Sequence, residues 1–281
     1  IMVWTNSQLT ANNVTFEGNT AATYGGGLAV HSSSSADLTD MTFTSNTGAY
    51  GAGASLTSAG TTYRLNVTNS TFSLNKATTQ GGGINTTGGI LDLANVTMTS
   101  NEAVIYGGAI YSAGATAITL ADSSFTTNRA TVTSGSYGGV LYASGGSLTM
   151  SNNTLTQNDA YTSGGALYLE SSPKTTITSC TFHKNKVTGN YGGGIALLGD
   201  NLKLVDSTFT ENTAKNSAAL HVENASHFGL VRNTRFLKNS ATGYGGALSV
   251  QSAKSLHVVD SVFIVFGVSF FSFIPFLLLP W

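Results

Sequence analysis

Apolar and polar residues alternate along this chain in short runs of period two, the pattern of half-buried strands. Ile118 and Leu120 lead through Asp122 and Ser124 to Phe125; Leu91 and Leu93 lead through Asn95 and Thr97 to Met98; Leu202 and Leu204 lead through Asp206 and Thr208 to Phe209. The repeated region has no ten-residue stretch of helical periodicity. Each run ends on an apolar residue followed three positions later by Asn: Phe16/Asn19, Phe43/Asn46, Phe72/Asn75, Met98/Asn101, Phe125/Asn128, Leu155/Asn158, Phe182/Asn185, Phe209/Asn212 and Phe236/Asn239. Successive marks are 26 to 30 residues apart, and Phe263 starts a tenth coil.

A second mark follows each Phe-x-x-Asn. It is a cluster of small residues and then an aliphatic one, as in Gly25-Gly26-Gly27-Leu28, Gly107-Gly108-Ala109-Ile110, Gly138-Gly139-Val140-Leu141 and Gly192-Gly193-Gly194-Ile195. Tyr24, Tyr50, Tyr106, Tyr137, Tyr191 and Tyr244 directly precede such clusters. The spacing before the cluster varies, which places the length-tolerant turn there. Three residues before each Phe position stands a short polar residue, among them Asn13, Asp40, Asn69, Asp122, Ser179, Asp206 and Asp260.

These marks predict three short strands per coil, separated by turns. A coil of about 27 residues cannot bury its apolar face alone, so coils must stack, each strand pairing in parallel with its counterpart one repeat away. The expected fold is all-β, a right-handed parallel β-helix of nine to ten coils. At about 4.8 Å per rung it would be a rod on the order of 45 Å long. Phe16, Phe43, Phe72, Phe125, Phe182, Phe209 and Phe236 are expected to form an interior column. The nine Asn residues are expected to tie neighbouring turns by side-chain amide bonds while accepting left-handed turn geometry.

Composition fits this picture. Only 9% of the 281 residues are charged, with 12 basic and 13 acidic residues, against 40 Thr, 23 Asn and 33 Gly. Stacked copies of one charge would lie about 4.8 Å apart and repel, whereas neutral amides and hydroxyls form ladders. The net charge of −1, with no basic block, argues against a nucleic-acid partner. A 41% apolar content argues against disorder. One cysteine excludes an intrachain disulfide framework or a cysteine zinc site, and Cys180 reads as a small buried hydrophobe.

The alternation of Phe-x-x-Asn with Gly-Gly-Ala-Ile or Gly-Gly-Ala-Leu over residues 9 to 263 resembles the repeat of the chlamydial polymorphic outer membrane protein family. That resemblance implies a right-handed β-helix passenger, adhesin-like, carried to the cell surface or outside the cell by a C-terminal barrel, with a glycan or a host or cell-surface protein as partner. Ten-residue alternating barrel strands are absent after the repeats. The wider architecture is similar to the pectate-lyase superfamily, which holds open the alternative of a carbohydrate-active lyase or hydrolase.

An enzyme on polysaccharide would need clustered acids and bases on one outer face. The acidic residues are instead dispersed, and Asp40, Asp122, Asp206 and Asp260 share their slot with Asn and Ser, so they read as structural. His31, His183, His221, His227 and His257 are single residues without metal-ligand spacing and read as solvated or cross-strand. No catalytic residue, metal or cofactor is assigned, and the binding residues stay unknown. Lys184, Lys186, Arg232, Arg235 and Lys238 read as a solvated face, with a mildly cationic patch for acidic glycans as the sharper alternative. Sequons at Asn13, Asn66, Asn85, Asn152 and Asn224, with two more at ladder-slot residues Asn69 and Asn95, are N-glycosylation candidates if the source is eukaryotic.

The expected organisation is a repeat domain over 1–262 and an apolar tail over 263–281. After Asp260 no charge remains. Three readings of the tail compete: a membrane or lipid-anchor segment giving membrane association through 262–281, an apolar end cap, and translation past the true coding end. A chain beginning at Ile1 without a leader pattern reads as a piece of a longer product.

Overall fold

The computed structural model describes residues 1–264 except Ala59, Pro173, Asp200 and Ser226. The tail over 263–281 therefore lies, from Val265 onward, outside the described residues. Every described element is a strand, and every pairing is parallel between neighbouring coils, so the chain winds as a β-solenoid. Eight of the ten described coils hold four strands where three were expected; the first and the last hold three. In one coil these are Leu28–His31, Ser35–Thr39, Thr42–Thr44 and Thr47–Tyr50. We call their sheets the cluster, alternating, Phe and short sheets; they contain ten, ten, ten and eight strands. The additional strands follow the Asn of each coil and are mostly two residues long, as in Glu102–Ala103 and Arg129–Ala130. Two residues carry no alternation to be read.

The first three sheets enclose one apolar core. Phe43, Phe72, Phe125, Phe182 and Phe209 are fully buried, and Phe236 nearly so. Their register is continuous through Met98 and Leu155. Phe16, Phe43 and Phe72 stack with centroids 4.8 and 4.5 Å apart. Phe182, Phe209, Phe236 and Phe263 stack at 4.5, 5.1 and 4.7 Å. Across the core the column meets the third residue of each small cluster. A Cβ placed on Gly27 would sit 3.1 Å from the Phe43 ring, and one on Gly194 would sit 3.0 Å from the Phe209 ring. The coil that carries the larger Val140 at this point has Leu155 in its Phe slot.

The Asn column is continuous, and Asn46, Asn75, Asn101, Asn128, Asn158, Asn185, Asn212 and Asn239 are all buried. Each amide oxygen accepts from the backbone N–H and the side-chain amide of the preceding Asn. Asn158 does so from Asn128 at 2.9 and 3.1 Å, and Asn212 from Asn185 at 3.0 Å for both bonds. Each amide nitrogen also donates to the carbonyl of the Phe-slot residue one coil back. Asn75 donates in this way to Phe43, Asn101 to Phe72 and Asn212 to Phe182, each at 2.9 Å. Asn19 begins the series by donating to Asn46.

The expectation that these Asn residues take the left-handed turn conformation is corrected by the structure. Neither Asn75 nor Asn212, nor any other member of the column, has positive φ. The left-handed residue is the one before each Asn: Ser45, Leu74, Ser100, Thr127, Gln157, Lys184, Glu211 and Lys238 all have φ between 53° and 57°. The Asn that follows holds the corner with its own bonds, so the corner residue itself is unconstrained in type. A second left-handed corner is the short polar slot, Asn13 through Asp260, where Asn and Asp tolerate positive φ. Side-chain bonds such as Asn95 to Asn69 at 2.9 Å and Asn152 to Asp122 at 3.0 Å join its exposed members. The third corner is the first residue of the small cluster, for instance Gly138 at φ 69°.

Charge enters one column after all. In the short sheet Lys76, Glu102, Arg129, Asp159 and Lys186 stand in successive register. The signs alternate, so each neighbour attracts, with Arg129 and Asp159 3.6 Å apart.

Candidate functional site

The outer face of the cluster sheet carries a run of stacked aromatic rings. Two columns run along it. The corner column contains Tyr24, Tyr50, Gln80, Tyr106, Tyr137, Ser163, Tyr191 and Asn216, paired in that order. The strand column contains Tyr111, Tyr142, Tyr168, Ala196, His221 and Ser249. The Tyr residues that precede the clusters give the first column. The second follows just as regularly in the sequence, in Ile110-Tyr111, Leu141-Tyr142 and Leu167-Tyr168, because the residue after an inward aliphatic points outward.

Three of the corner rings lean over the strand residue of the next coil. Tyr106 lies 4.6 Å from Tyr142, Tyr137 4.6 Å from Tyr168, and Tyr191 4.3 Å from His221. Within the strand column Tyr111, Tyr142 and Tyr168 stack at 5.3 and 5.5 Å. Tyr142 donates to Glu170 Oε1 at 2.6 Å. Burial, and then the Glu170 carboxylate, raise the phenol pKa values of Tyr142 and Tyr168 far above the usual range. Both therefore stay neutral donors.

His221 is 1% exposed. Its Nε2 lies 3.3 Å from Glu223 Oε2 and its Nδ1 2.8 Å from Ser249 Oγ; the Ser217 hydroxyl contacts both the ring and Ser249. A neutral ring donating from Nε2 to the carboxylate leaves Nδ1 to accept from Ser249. These are the residue types of a nucleophilic triad. However, Ser249 belongs to the coil beyond His221, whereas the cavity beside this ring is lined from the other side by Tyr191 and Ala196. The arrangement fixes the imidazole as a wall. Glu170 and Glu223 share an outer column with Leu198 between them. Their strands are thus two rungs, about 9.6 Å, apart.

Burial lowers the His221 pKa below 6.5, with Glu223 opposing, and burial also lowers that of His31. The unfolded chain then takes up these protons first as pH falls, so their contribution to stability is present above about pH 6.5 and is lost as pH drops through the folded values. The melting temperature is expected to fall between pH 7.5 and 5.5, and His221→Gln is expected to flatten that slope. Identical slopes for the two proteins would show that His221 does not titrate against folding.

The other sequence candidates do not converge. His31, expected to be solvated or cross-strand, is 7% exposed beside Trp4 and Tyr24. Cys180 is buried, 3.9 Å from Asn153 Nδ2, and its thiol pKa is pushed up by burial. Lys184, Lys186, Arg232, Arg235 and Lys238 are exposed, but they occupy different sheets and corners, and Lys184 pairs with Glu211 at 3.7 Å. Asn13, Asn69, Asn95, Asn152 and Asn224 are exposed, and Asn66 is half-buried. Asn85 is corrected as a glycan acceptor: it is 2% exposed, set between Ser55 and Tyr111 in its column, and presents no accessible amide. Among the described residues no three His, Cys, Asp or Glu side chains gather as a metal-ligating group.

Comparison with known proteins agrees with this architecture. The family described as "Right handed beta helix region" matches residues 1–161 and 95–269. The chain is similar to the "Probable autotransporter YfaL" of Escherichia coli (strain K12), 28% identical over 169 residues. That match covers 55% of this chain and 12% of that protein, so the chain spans only a small part of its relative's length. No solved structure matches. With the family match extending over nearly every coil, and all the described strands paired in parallel from coil to coil, the chain belongs to the right-handed β-helix family.

Proposed function

We propose that this chain is a non-enzymatic passenger-type scaffold of a bacterial cell surface or secreted product, an adhesin-like rod whose contact surface is the Tyr-lined face of the cluster sheet. The observation that carries the reading is that face. Tyr106, Tyr111, Tyr137 and Tyr191 are half-buried on one outer face, backed by the buried rings of Tyr142 and Tyr168, whereas every described Phe except Phe228 belongs to the Phe column. Ordered tyrosines on an outer face supply contact area at small entropic cost, because each has two torsions to fix. Similarity to a probable autotransporter supports a surface or secreted location, and the Phe-x-x-Asn repeat supports the likeness to polymorphic outer membrane proteins. Partners of this class are glycans or cell-surface proteins.

The reading is tested by displaying the full chain on a non-adherent bacterium through an autotransporter barrel. Binding to cultured epithelial cells and immobilised glycans is then measured, alongside incubation of the purified chain with pectin and other polysaccharides. Adherence above the barrel alone, without new reducing or unsaturated ends, is expected. Polysaccharide cleavage at turnover rates above about 1 per second would overturn it in favour of a carbohydrate-active lyase or hydrolase.

A further inference from the structure

The leaning pairs on the cluster sheet run Tyr106/Tyr142, Tyr137/Tyr168, Ser163/Ala196 and Tyr191/His221. The third pair has no rings. At that rung the face opens into a cavity of about 180 Å³, with Tyr137 and Tyr168 at one end, Tyr191 and His221 at the other, and Glu223 among its lining residues. The end walls are two rungs apart, about 9.6 Å, so one ring inserted midway would lie about 4.8 Å from each. That matches the 4.3 to 5.5 Å spacing of the rings already stacked there. The volume slightly exceeds the roughly 150 Å³ that admits one benzene.

We propose that this gap is a binding slot for one neutral hexopyranose ring, a sugar residue that takes the place of the missing aromatic pair. Resting on the surface-contact reading above, this names its ligand class. A puckered pyranose is thicker than an aromatic ring and suits the spacing that the solenoid imposes. Its C–H groups, mildly positive, face the negative faces of the tyrosines. Thr162, Asn190 and Glu223 line the same cavity and supply hydroxyl, amide and carboxylate groups for sugar hydroxyls. Glu223 there, and Glu170 two rungs away in the same column, disfavour an acidic sugar.

The test is an NMR titration of the full chain with methyl β-galactoside, methyl α-glucoside and methyl α-mannoside, using glucuronic acid and N-acetyltyrosinamide as acidic and aromatic controls. Saturable binding of at least one neutral glycoside is expected, with glucuronic acid weaker by about tenfold or more. Ala196→Tyr fills the slot from the chain's own column, where Tyr111, Tyr142 and Tyr168 already sit, and is expected to abolish binding without lowering the melting temperature. Ser163→Tyr fills it from the corner column and serves if the first variant misfolds. Absence of binding by all three glycosides, or retained binding in both filled variants, overturns the proposal. Binding of N-acetyltyrosinamide alone also overturns it and assigns the slot to a protein side chain. If displayed Ala196→Tyr adheres to cells as the parent does and the parent binds no sugar, the slot fails while the surface reading stands. If the parent binds sugar but never adheres, the slot stands and the surface reading fails.

Discussion

Asn158→Asp is expected to destabilise the protein by about 3–5 kcal/mol at pH 7, the cost of a buried charge without a partner. The substitution preserves shape. It also preserves the oxygen that accepts from Asn128 N and Nδ2. What it removes is the amide nitrogen that donates to Phe125 O at 3.0 Å and Asn185 Oδ1 at 2.9 Å. A carboxylate oxygen would then face two oxygens with no proton between them, in a site that is 0% exposed. Burial and those oxygens raise the folded pKa of the new carboxyl above its unfolded value of about 3.9. The protonated form can donate to one of the two acceptors. The defect is therefore smallest below about pH 4 and grows as pH rises through the folded pKa. Urea midpoints relative to the parent, measured at pH 4 and pH 7, check this. Asn158→Ala leaves the Asn128 N–H and the Phe125 carbonyl unpaired, at about 1–3 kcal/mol each, with no such pH dependence. A parental midpoint for Asn158→Asp at pH 7 would refute the ladder.

Phe209→Ala is expected to cost about 3–5 kcal/mol through the cavity it leaves, and to lower the melting temperature by on the order of 10 °C. Its ring lies between Phe182 and Phe236, 4.5 and 5.1 Å away, and against the backbone at Gly194. None of these can move in, since two are held by their own strands and the third has no side chain. Phe209→Leu should cost only about 1.5 kcal/mol, because Leu155 already occupies the same column. Equal losses for Ala and Leu would show that the slot is not shape-filled.

How far the sequence carries depends on whether a feature repeats along the chain or arises between coils. The Phe, Asn and small-residue marks repeat, and with them the solenoid, its period and its inward positions are legible. The short sheet is not, because strands such as Glu102–Ala103 offer one inward and one outward residue. The left-handed corner at Leu74 or Glu211 is equally silent: Asn75 or Asn212 holds it from the next position, so any side chain occupies it. The aromatic face is half legible. Tyr before each cluster is a visible mark, but Tyr111, Tyr142 and Tyr168 become its partners only when strands are laid in register. The slot is a coincidence of two omissions, Ser163 and Ala196, which are 33 residues apart in sequence and meet across one rung. Nothing in either local sequence announces it.

The alternating charges of the short sheet bear on assembly. Nine similar coils invite mispairing, since a coil that skipped its neighbour would find almost the same apolar face one rung further on. Such a skip would set Lys76 against Arg129 and Glu102 against Asp159, like charge on like. Over these five coils the column works as a parity check on coil order: omitting any one of the three between Lys76 and Lys186 sets like charge on like, whereas looping out two together restores an attractive pair.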